Sequence, residues 1–331
     1  MLNAAIVGLG WWGRYIVNSL TASEKISIIR AVDLNLEAAE PFAEDHGLTI
    51  SNDLQDALTD AAIDMVILAT PHSLHEGQII QVAGAGKHVF CEKPLCLTAD
   101  SAKRAIDACQ AAGVQLGVGH ERRFEPAMLE IERMVKAGDL GLILHAEANF
   151  SHDKLAKISA DDWRASSKDA PGAGMTGTGI HLSDAYLNML GPVSEVYAQT
   201  AKRVLPMEDG DVTSVQLRMT SGATAYFSAV LATPLYIRFQ VFGVDAWVEA
   251  RNPTHPDTPG DTFLTVCRAG AEPQTRTFAW ADAVRANFEN FADAINDDGD
   301  YAFTTQQKLH NIEIFEAICR SAASNQPVKL N

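Results

Sequence analysis

The sequence predicts an α/β protein in which a doubly wound parallel sheet precedes an α+β domain with a mostly antiparallel sheet. In the first 120 residues, short apolar runs alternate with amphipathic stretches, as in buried parallel strands joined by helices. After Pro126, apolar and polar residues alternate with a period of two, which is typical of antiparallel strands with one covered face. Because 331 residues exceed one ordinary core, we expect two domains, residues 1–123 and 124–331.

The first domain shows a regular succession of elements. Strands are predicted at Ala4–Val7, Ile26–Val32, Met65–Ala69, His88–Cys91 and Leu116–Gly119. Helices are predicted at Trp12–Leu20, Leu36–His46, directly after Asp53, at Ser73–Ala85 and at Ala99–Ala112. Because a helix separates each apolar run from the next, the strands are expected to run parallel.

The second domain is predicted to begin with a helix at Pro126–Ala137. Strands are expected at Val215–Met219, Ala223–Leu231, Ile237–Val241, Ala246–Ala250, Thr262–Arg268 and Gln274–Trp280. Further helices are expected at Ile180–Leu190, Ala283–Asn296 and Thr305–Ser324. Arg251–Gly260 contains three prolines and is expected to form an exposed loop.

The charge balance limits the partners of this protein. Lys and Arg number 26 and Asp and Glu number 42, for a net charge of −16. Such an acidic surface repels phosphate backbones and anionic lipid, so neither nucleic acid nor a membrane is an expected partner. The longest apolar runs, such as Met65–Thr70, are too short to cross a bilayer, and the first resembles a strand rather than a signal peptide. The expected location is the cytoplasm.

Metal-binding residues do not cluster in the sequence. The five cysteines form no CxxC pair and no zinc-type spacing with histidine, so we expect reduced thiols packed as small apolar groups. The spacing of His72, His75, His120 and His152 does not require a metal either. We therefore predict no metal site.

A glycine motif stands where the first strand meets the first helix. Its GxGxxG spacing assigns Gly8 to the tight turn, Gly10 to close approach of a pyrophosphate, and Gly13 to helix–strand packing. The amide groups at the helix N-terminus favour phosphate. Trp11 and Trp12 are counted with the same site, although tryptophans at helix starts also pack in cores or interfaces. The motif predicts a Rossmann dinucleotide-binding domain.

An acidic residue at the end of the second strand predicts the cofactor. Asp33 can accept hydrogen bonds from the ribose hydroxyls of NAD and would repel the additional phosphate of NADP. Leu34 and Asn35 follow it, so no cation is present to attract that phosphate. We predict NAD, with NADP less favoured; the alternative for Asp33 is a solvated turn residue.

Two further segments follow strands of the first domain. Thr70-Pro71-His72, with His75 close behind, follows Met65–Ala69, and Glu92-Lys93-Pro94 follows His88–Cys91. Ligands of open parallel sheets bind beyond the carboxyl ends of the strands. We therefore expect both segments to border the cofactor.

These motifs together resemble the Gfo/Idh/MocA oxidoreductases. The resemblance continues through Arg123-Phe124-x-Pro126, Trp163-Arg164, Gly179-x-His181-x-x-Asp184 and the C-terminal Ser-Ala…Pro-Val ending, and it covers essentially the whole chain. It implies a C-terminal α+β domain with a large open sheet, whose exposed face forms homodimers or homotetramers.

The resemblance also assigns catalytic roles. It implies that Lys93 lies beside the nicotinamide and hydrogen-bonds the reacting oxygen, where an ammonium stabilises alkoxide character. Pro94 resembles the family proline that fixes this turn, often through a cis peptide bond. His181 resembles the general acid/base, since imidazole titrates near working pH. Asp184, one helical turn on, is expected to orient His181 or to bind a substrate hydroxyl.

Several arginines suggest how a substrate is held. Arg123 and Arg164, together with Arg122, can bind a substrate carboxylate at two points, and Trp163 is counted with the substrate site. The alternative is that these arginines, at a domain junction, form salt bridges between the domains.

One departure from the family pattern concerns the substrate. Gly177 stands four residues before His181, where many sugar and polyol dehydrogenases of the family carry Asp. The surrounding stretch, together with residues 120–126, resembles the branch that includes 4,5-dihydroxyphthalate-type dehydrogenases.

The implied activity is NAD-dependent hydride transfer involving a secondary alcohol of a small molecule: a sugar, a cyclic polyol or a carboxylated cyclic diol. A first alternative is a glycoside-cleaving enzyme or lyase that retains NAD and oxidises its substrate transiently. A second is a non-catalytic dinucleotide-binding sensor, for which Gly177 is the only support. The presence of both Lys93 and His181 favours the dehydrogenase.

Overall fold

The computed structural model describes residues 1–330. Strands β1–β6 are Leu2–Val7, Ile26–Val32, Thr49–Ser51, Met65–Leu68, His88–Cys91 and Leu116–Val118, and helices α1–α5 are Trp11–Leu20, Leu36–Asp45, Leu54–Leu58, His75–Gly84 and Ala99–Ala112. Helices α6 and α7 are Pro126–Lys136 and Gly179–Leu190. Strands β7–β14 are Ile143–Ser151, Val193–Ala201, Val212–Met219, Thr224–Val230, Tyr236–Gly243, Ala246–Asn252, Thr262–Arg268 and Gln274–Phe278. Helices α8 and α9 are Ala283–Ile295 and Thr305–Ser324, and β15 is Val328–Lys329.

The chain divides into two compact units. Unit 1 comprises Met1–Glu121 and Asp282–Leu309, and unit 2 comprises Arg122–Ala281 and the C-terminal segment from His310. The first break therefore lies close to residue 123. Residues 282–309, which the sequence interpretation assigned to the second domain, group with unit 1.

Unit 1 is built on a six-stranded parallel sheet in the order β3-β2-β1-β4-β5-β6. All four residues of β4 are buried, as the continuous apolar run predicted. Helix α8 belongs to the same core: the ring of Phe288 stacks on Phe90 with centroids 3.8 Å apart, and Phe291 meets Phe90 edge-on. Full burial of each such ring stabilises the fold by about 1.5–3 kcal/mol, which explains why α8 is held here.

Unit 2 is built on a nine-stranded sheet in the order β14-β13-β12-β11-β7-β10-β9-β8-β15. All neighbouring strands are antiparallel except β10 and β7, which run parallel. Helix α7 covers the centre of this sheet: Tyr186 is fully buried and donates a hydrogen bond to the carbonyl of Tyr226 at 2.8 Å. The mostly antiparallel sheet predicted from the period-two pattern is confirmed.

The structure adds four strands that the sequence analysis does not assign: β3, β7, β8 and β15. Strand β7 matters most, because it lies in the middle of the large sheet. Within residues 1–330, no helix combines the length and apolar character needed to span a membrane.

Candidate active site

The three glycines of the turn differ in what a side chain would meet. Gly8 has φ +95°, and a Cβ there would lie 2.6 Å from the carbonyl oxygen of Ala69. A Cβ on Gly13 would lie 1.9 Å from the carbonyl oxygen of Gly8. By contrast, a Cβ on Gly10, at the N-terminus of α1, would meet no atom within 4 Å. Packing therefore requires glycine at positions 8 and 13. The space beside Gly10 is open, as the predicted pyrophosphate site would need.

Asp33 follows β2 and supports this turn directly. Its Oδ2 accepts a hydrogen bond from the amide of Leu9 at 2.7 Å, and its Oδ1 accepts one from the amide of Asn35 at 2.8 Å. Each carboxylate oxygen has a second lone pair, so Asp33 can also accept ribose hydroxyls. Bracing of the turn is an additional role that the sequence did not indicate.

Gly8 directly follows β1 and Thr70 lies two residues beyond β4, and the strand order of the parallel sheet reverses between these two adjacent strands. Such a switch point is the usual ligand site of an open α/β sheet. Thr70 donates a hydrogen bond from its hydroxyl to Gln78 Oε1 at 2.5 Å. Pro71 precedes a short 3-10 helix, His72–Leu74, that leads into α4. The predicted position of this segment, directly beyond a strand end, is thus confirmed.

His75 joins the two segments that follow β4 and β5. Its Nδ1 lies 2.8 Å from the carbonyl oxygen of Pro94, and its Nε2 lies 3.1 Å from the carbonyl oxygen of Thr70. The side chain is fully buried, and burial lowers the pKa of its imidazole. His75 was expected to border the cofactor; its contacts instead make it a brace between the two segments.

The Glu92-Lys93-Pro94 turn follows β5, and its Lys93–Pro94 peptide bond is cis, as the resemblance implied. Glu92 is buried, and burial raises the pKa of its carboxyl, against the lowering influence of the Lys93 charge and the Trp12 indole. Gly119 makes room for it, since a Cβ there would lie 2.5 Å from the Glu92 carboxylate. The buried Glu92 thus anchors the backbone beside Lys93. The Lys93 side chain itself is half-buried.

The two tryptophans differ in their surroundings. Trp12 packs against the core of unit 1 and stacks on Tyr15, with ring centroids 5.0 Å apart. Trp11 is 55% exposed at the start of α1. Core packing is therefore the main role of Trp12, while the exposed indole of Trp11 stays a predicted wall of the cofactor site.

In unit 2, His181 lies in the first turn of α7 and is buried. Its ring centroid is 6.2 Å from that of Phe150, at the end of β7. Gly179 begins the helix where a Cβ would lie 2.5 Å from Met175 Sδ, so close packing fixes the start of α7. Lys93 belongs to unit 1 and His181 to unit 2.

Asp184 is paired with Arg123. Arg123 Nε donates to Asp184 Oδ2 at 2.7 Å and Nη2 donates to Oδ1 at 2.6 Å, with both side chains about 4% exposed. Arg123 also donates to Asn188 Oδ1 at 3.1 Å. This two-point ion pair holds α7 to the segment before α6. Its geometry supports neither the predicted action of Asp184 on His181 nor a substrate carboxylate on Arg123.

The other two arginines also lie beside carboxylates of the protein. Arg122 pairs with Glu125 at 3.0 Å in a buried site, and its guanidinium lies 4.9 Å from the ring centroid of Phe150. Arg164 lies over the ring of Trp163 at 4.2 Å and 3.5 Å from Asp162. All three arginines and their carboxylate partners belong to unit 2, so these contacts are salt bridges within one unit and not the bridges between domains that the sequence suggested.

Gly177 stands beside open space, since a Cβ there would meet no atom within 4 Å. Its φ lies outside the left-handed region, so neither packing nor backbone conformation requires glycine at this position. Within residues 1–330, no group of three or more His, Cys, Asp or Glu side chains could hold a metal ion.

Phe150, close to His181, and His255, close to Phe150, escaped the sequence analysis. The ring centroid of Phe150 lies 5.8 Å from that of His152 and 5.6 Å from that of His255. The available signal was the alternation of Ala146, Ala148 and Phe150 with polar residues, which predicts a strand ending at this point.

Comparison with known families settles the relationship. Residues 2–120 match the family described as "Oxidoreductase family, NAD-binding Rossmann fold", and residues 128–249 match the "GFO/IDH/MocA C-terminal domain". The chain belongs to the Gfo/Idh/MocA oxidoreductase family. The family resemblance inferred from the motifs is thereby confirmed, and unit 1 carries the Rossmann domain of an NAD-binding oxidoreductase family.

Similar members of the Gfo/Idh/MocA family include sugar and polyol dehydrogenases. D-xylose 1-dehydrogenase (NADP(+)) 2 of Haloferax volcanii is 29% identical over 88% of this chain and 89% of its own. The scyllo-inositol 2-dehydrogenase (NAD(+)) of Bacillus subtilis is 35% identical over 47% of this chain and 46% of its own. Aldose-aldose oxidoreductase from Caulobacter crescentus superposes with a TM-score of 0.89 at 25% identity, covering 99% of both chains. Since both dinucleotides occur in these names, family membership leaves the choice between them open.

Proposed function

We propose that this protein is an NAD-dependent dehydrogenase that transfers hydride between the nicotinamide and a secondary alcohol of a neutral sugar or cyclic polyol. The observation that carries the proposal is the placement of the Lys93 turn beyond β5, beside the strand-order switch point and tied to the Thr70 segment through His75. A half-buried ammonium at that position suits a reaction in which negative charge develops on a substrate oxygen.

The proposed cofactor is NAD rather than NADP. Gly8, Gly10 and Gly13 would receive the pyrophosphate, with the amides at the start of α1 as donors. Asp33 would accept the ribose hydroxyls and repel a 2′-phosphate. When bound, NAD supplies the hydride acceptor at its nicotinamide ring.

The chain's own residues would handle the proton and the charge. In the oxidative direction His181 takes the hydroxyl proton, and Lys93 donates a hydrogen bond to the substrate oxygen as it acquires alkoxide character. In reduction His181 returns the proton. Asp184 and Arg123 are positioning residues, because their ion pair holds the helix that carries His181.

A neutral substrate fits the electrostatics better than a carboxylated one. The three arginines that could hold a substrate carboxylate at two points, Arg122, Arg123 and Arg164, each lie beside a carboxylate of the protein. Breaking a buried pair such as Arg123–Asp184 costs about 3–5 kcal/mol, which a substrate carboxylate would have to offset. The open space beside Gly177 can admit a ring substituent. The dihydroxyphthalate-type branch stays a prediction that these contacts do not favour.

We further propose that the outer face of the large sheet forms a homodimer or homotetramer. Tyr236 on β11 and Phe263 on β13, which alternate with the buried Ile237 and Leu264, are exposed, at 39% and 44%. Exposed apolar side chains on strands are suited to self-association. The molar mass in solution, from light scattering, tests this proposal, and a monomer at all concentrations would contradict it.

The activity is tested with a substrate panel. Sugars, inositols and cyclic diol carboxylates are each supplied with NAD⁺ or NADP⁺, and reduced nicotinamide is followed by its absorbance. We expect NADH to accumulate with at least one neutral polyol. Turnover of the carboxylated diols alone would overturn the substrate assignment. Cleavage of a glycoside without net NADH would instead favour the NAD-retaining lyase, and dinucleotide binding without turnover of any compound would favour the sensor.

A further inference from the structure

A pocket lies in unit 2, outside the residues given a catalytic or cofactor-binding role above. It has a volume of about 290 Å³ and lies between the segment after β7 and the loop after β12. Its walls combine two imidazoles, two hydroxyls and two apolar side chains, from His152, His255, Thr254, Thr258, Leu235 and Pro253. Such a volume accommodates one six-membered ring more readily than a large ligand.

One aromatic ring lies close both to His181 and to the imidazoles of the pocket. The ring centroid of Phe150 is 6.2 Å from that of His181, and 5.6 and 5.8 Å from those of His255 and His152. His181 and the pocket imidazoles are therefore separated by no more than two successive ring contacts. A second ring, joined to one that reacts near His181, is the occupant that this short separation suggests.

The charges around the pocket point to a neutral ligand. Lys154 forms an ion pair with Asp257, and Asp257 also bonds His255 at 2.8 Å and the Thr258 hydroxyl at 2.9 Å. Burial and the nearby Lys154 charge lower the pKa of His255 to about 4, so it is neutral at pH 7. Asp153 adds a carboxylate to the lining. An anionic ligand would therefore face a lysine already paired with Asp257 and the negative charge of Asp153. The hydroxyl groups of a neutral ligand can instead bond the imidazoles and the threonine hydroxyls.

We propose that this pocket is a second substrate subsite that binds a neutral, hydroxyl-rich ring joined to the ring that reacts. The hydroxyls of such a ring would bond the imidazoles and threonines, and its C–H face would pack on Leu235 and Pro253. The preferred substrate is then a two-ring glycoside rather than a single ring. This inference rests on the dehydrogenase function proposed above.

The test compares a single-ring polyol from the panel with its neutral glycoside and with its phosphorylated derivative. For the wild-type holoenzyme we expect kcat/KM to be about tenfold higher for the glycoside than for the single ring, which corresponds to about 1.4 kcal/mol. Leu235→Trp, which fills the pocket, should abolish this ratio. Leu142→Trp, at a leucine that is 72% exposed and outside the pocket, should preserve it. Unfolding curves for both variants establish that they fold.

Three results would overturn the subsite: equal kcat/KM for the single ring and its glycoside, a ratio that persists in Leu235→Trp, or a stronger preference for the phosphorylated derivative. Calorimetric titration of the glycoside into the NAD complex separates this inference from the proposed function. Glycoside binding that Leu235→Trp abolishes supports the subsite even if no compound is oxidised. Turnover of the single ring without additional affinity for the glycoside refutes the subsite alone.

Discussion

His75 shows how one buried side chain can couple two parts of a site. Its ring nitrogens face the carbonyl oxygens of Thr70 and Pro94, so the segments after two neighbouring strands are fixed relative to each other. The sequence placed His75 near the cofactor because it follows a strand end. The sequence could not show that the His75 ring is buried, because one of its two partners, the carbonyl group of Pro94, lies 19 residues away in the chain.

The same holds for the arginines and Asp184. Residue type predicted that a guanidinium would bind a carboxylate, and that chemistry is present. Which carboxylate it binds depends on residues 61 positions apart, as in Arg123 and Asp184, and no local pattern reveals such a pairing. By contrast, the glycines lie in one strand–turn–helix segment and Asp33 follows the next strand, so their positions could be predicted.

Asp33 provides a prediction at this scale. Asp33→Ser should lower the ratio of NAD to NADP affinity by about tenfold, because the carboxylate that binds the ribose and repels the phosphate is lost. Since Asp33 also accepts the amides of Leu9 and Asn35, both affinities can fall, and the ratio is the quantity to measure by fluorescence titration. Asp45→Ser, at an exposed position on α2, is the matched control. An unchanged ratio in Asp33→Ser would refute the assignment.

At the scale of elements, the strand–helix junctions position the chemistry. The glycine turn joins β1 to α1, the Thr70 segment joins β4 to α4, and the Lys93 turn follows β5. The apolar runs predicted these strands to within two residues because the buried positions of parallel strands are nearly all apolar. Strand β7 is harder to predict, since its inward residues include two alanines, Ala146 and Ala148, whose apolar signal is weak.

The glycine turn gives a paired prediction. Gly13→Ala should lower the free energy of unfolding by about 1–3 kcal/mol, because its Cβ would lie 1.9 Å from the Gly8 carbonyl oxygen. Gly10→Ala should change stability by less than about 0.5 kcal/mol, because its Cβ meets no protein atom. It should nevertheless weaken NAD binding at least tenfold, because the methyl group occupies the space of the pyrophosphate.

Urea unfolding and NAD titration measure the two effects. Gly77→Ala on α4, where a Cβ also meets nothing within 4 Å, is the control and should bind NAD normally. Normal NAD affinity in Gly10→Ala would place the dinucleotide elsewhere.

The loop between β8 and β9 gives a pH-dependent prediction. Burial raises the pKa of Asp211, but the amides of Arg203, Val204 and Leu205, at 2.8, 2.6 and 2.7 Å, outweigh it and lower the pKa overall. Because its pKa is lower in the folded state, the ionised Asp211 stabilises the fold at pH values above its unfolded pKa of about 4. This stability is lost as the pH falls through the folded pKa.

Asp211→Asn should therefore lower the free energy of unfolding by about 1–3 kcal/mol at pH 7, with a smaller difference at pH 3. Urea unfolding at the two pH values measures this, with the exposed Asp261→Asn as control. A difference that is the same at both pH values would contradict the role of the charged carboxylate.

At the scale of the whole molecule, the sequence predicted both sheet types but not the membership of every helix. The periodicity of α8 shows that one face is apolar, yet it does not show which sheet that face covers. The structure places Phe288 and Phe291 in the core of unit 1, although unit 2 contributes the 160 residues that precede α8. A domain boundary drawn at one point in the sequence cannot capture a chain that returns to its first unit.

The central claim is that Lys93 and His181 act on one substrate oxygen while NAD receives the hydride. The most direct test is the single-turnover formation of NADH from NAD⁺ and a reactive polyol in the wild type, Lys93→Ala and His181→Ala, with NAD affinity measured in parallel. We predict that both variants bind NAD within about twofold of the wild type and form NADH at least about 100-fold more slowly. Lys103→Ala, at an exposed lysine on α5, should match the wild type in both measurements. Wild-type rates in the two variants, with NAD bound normally, would contradict the account.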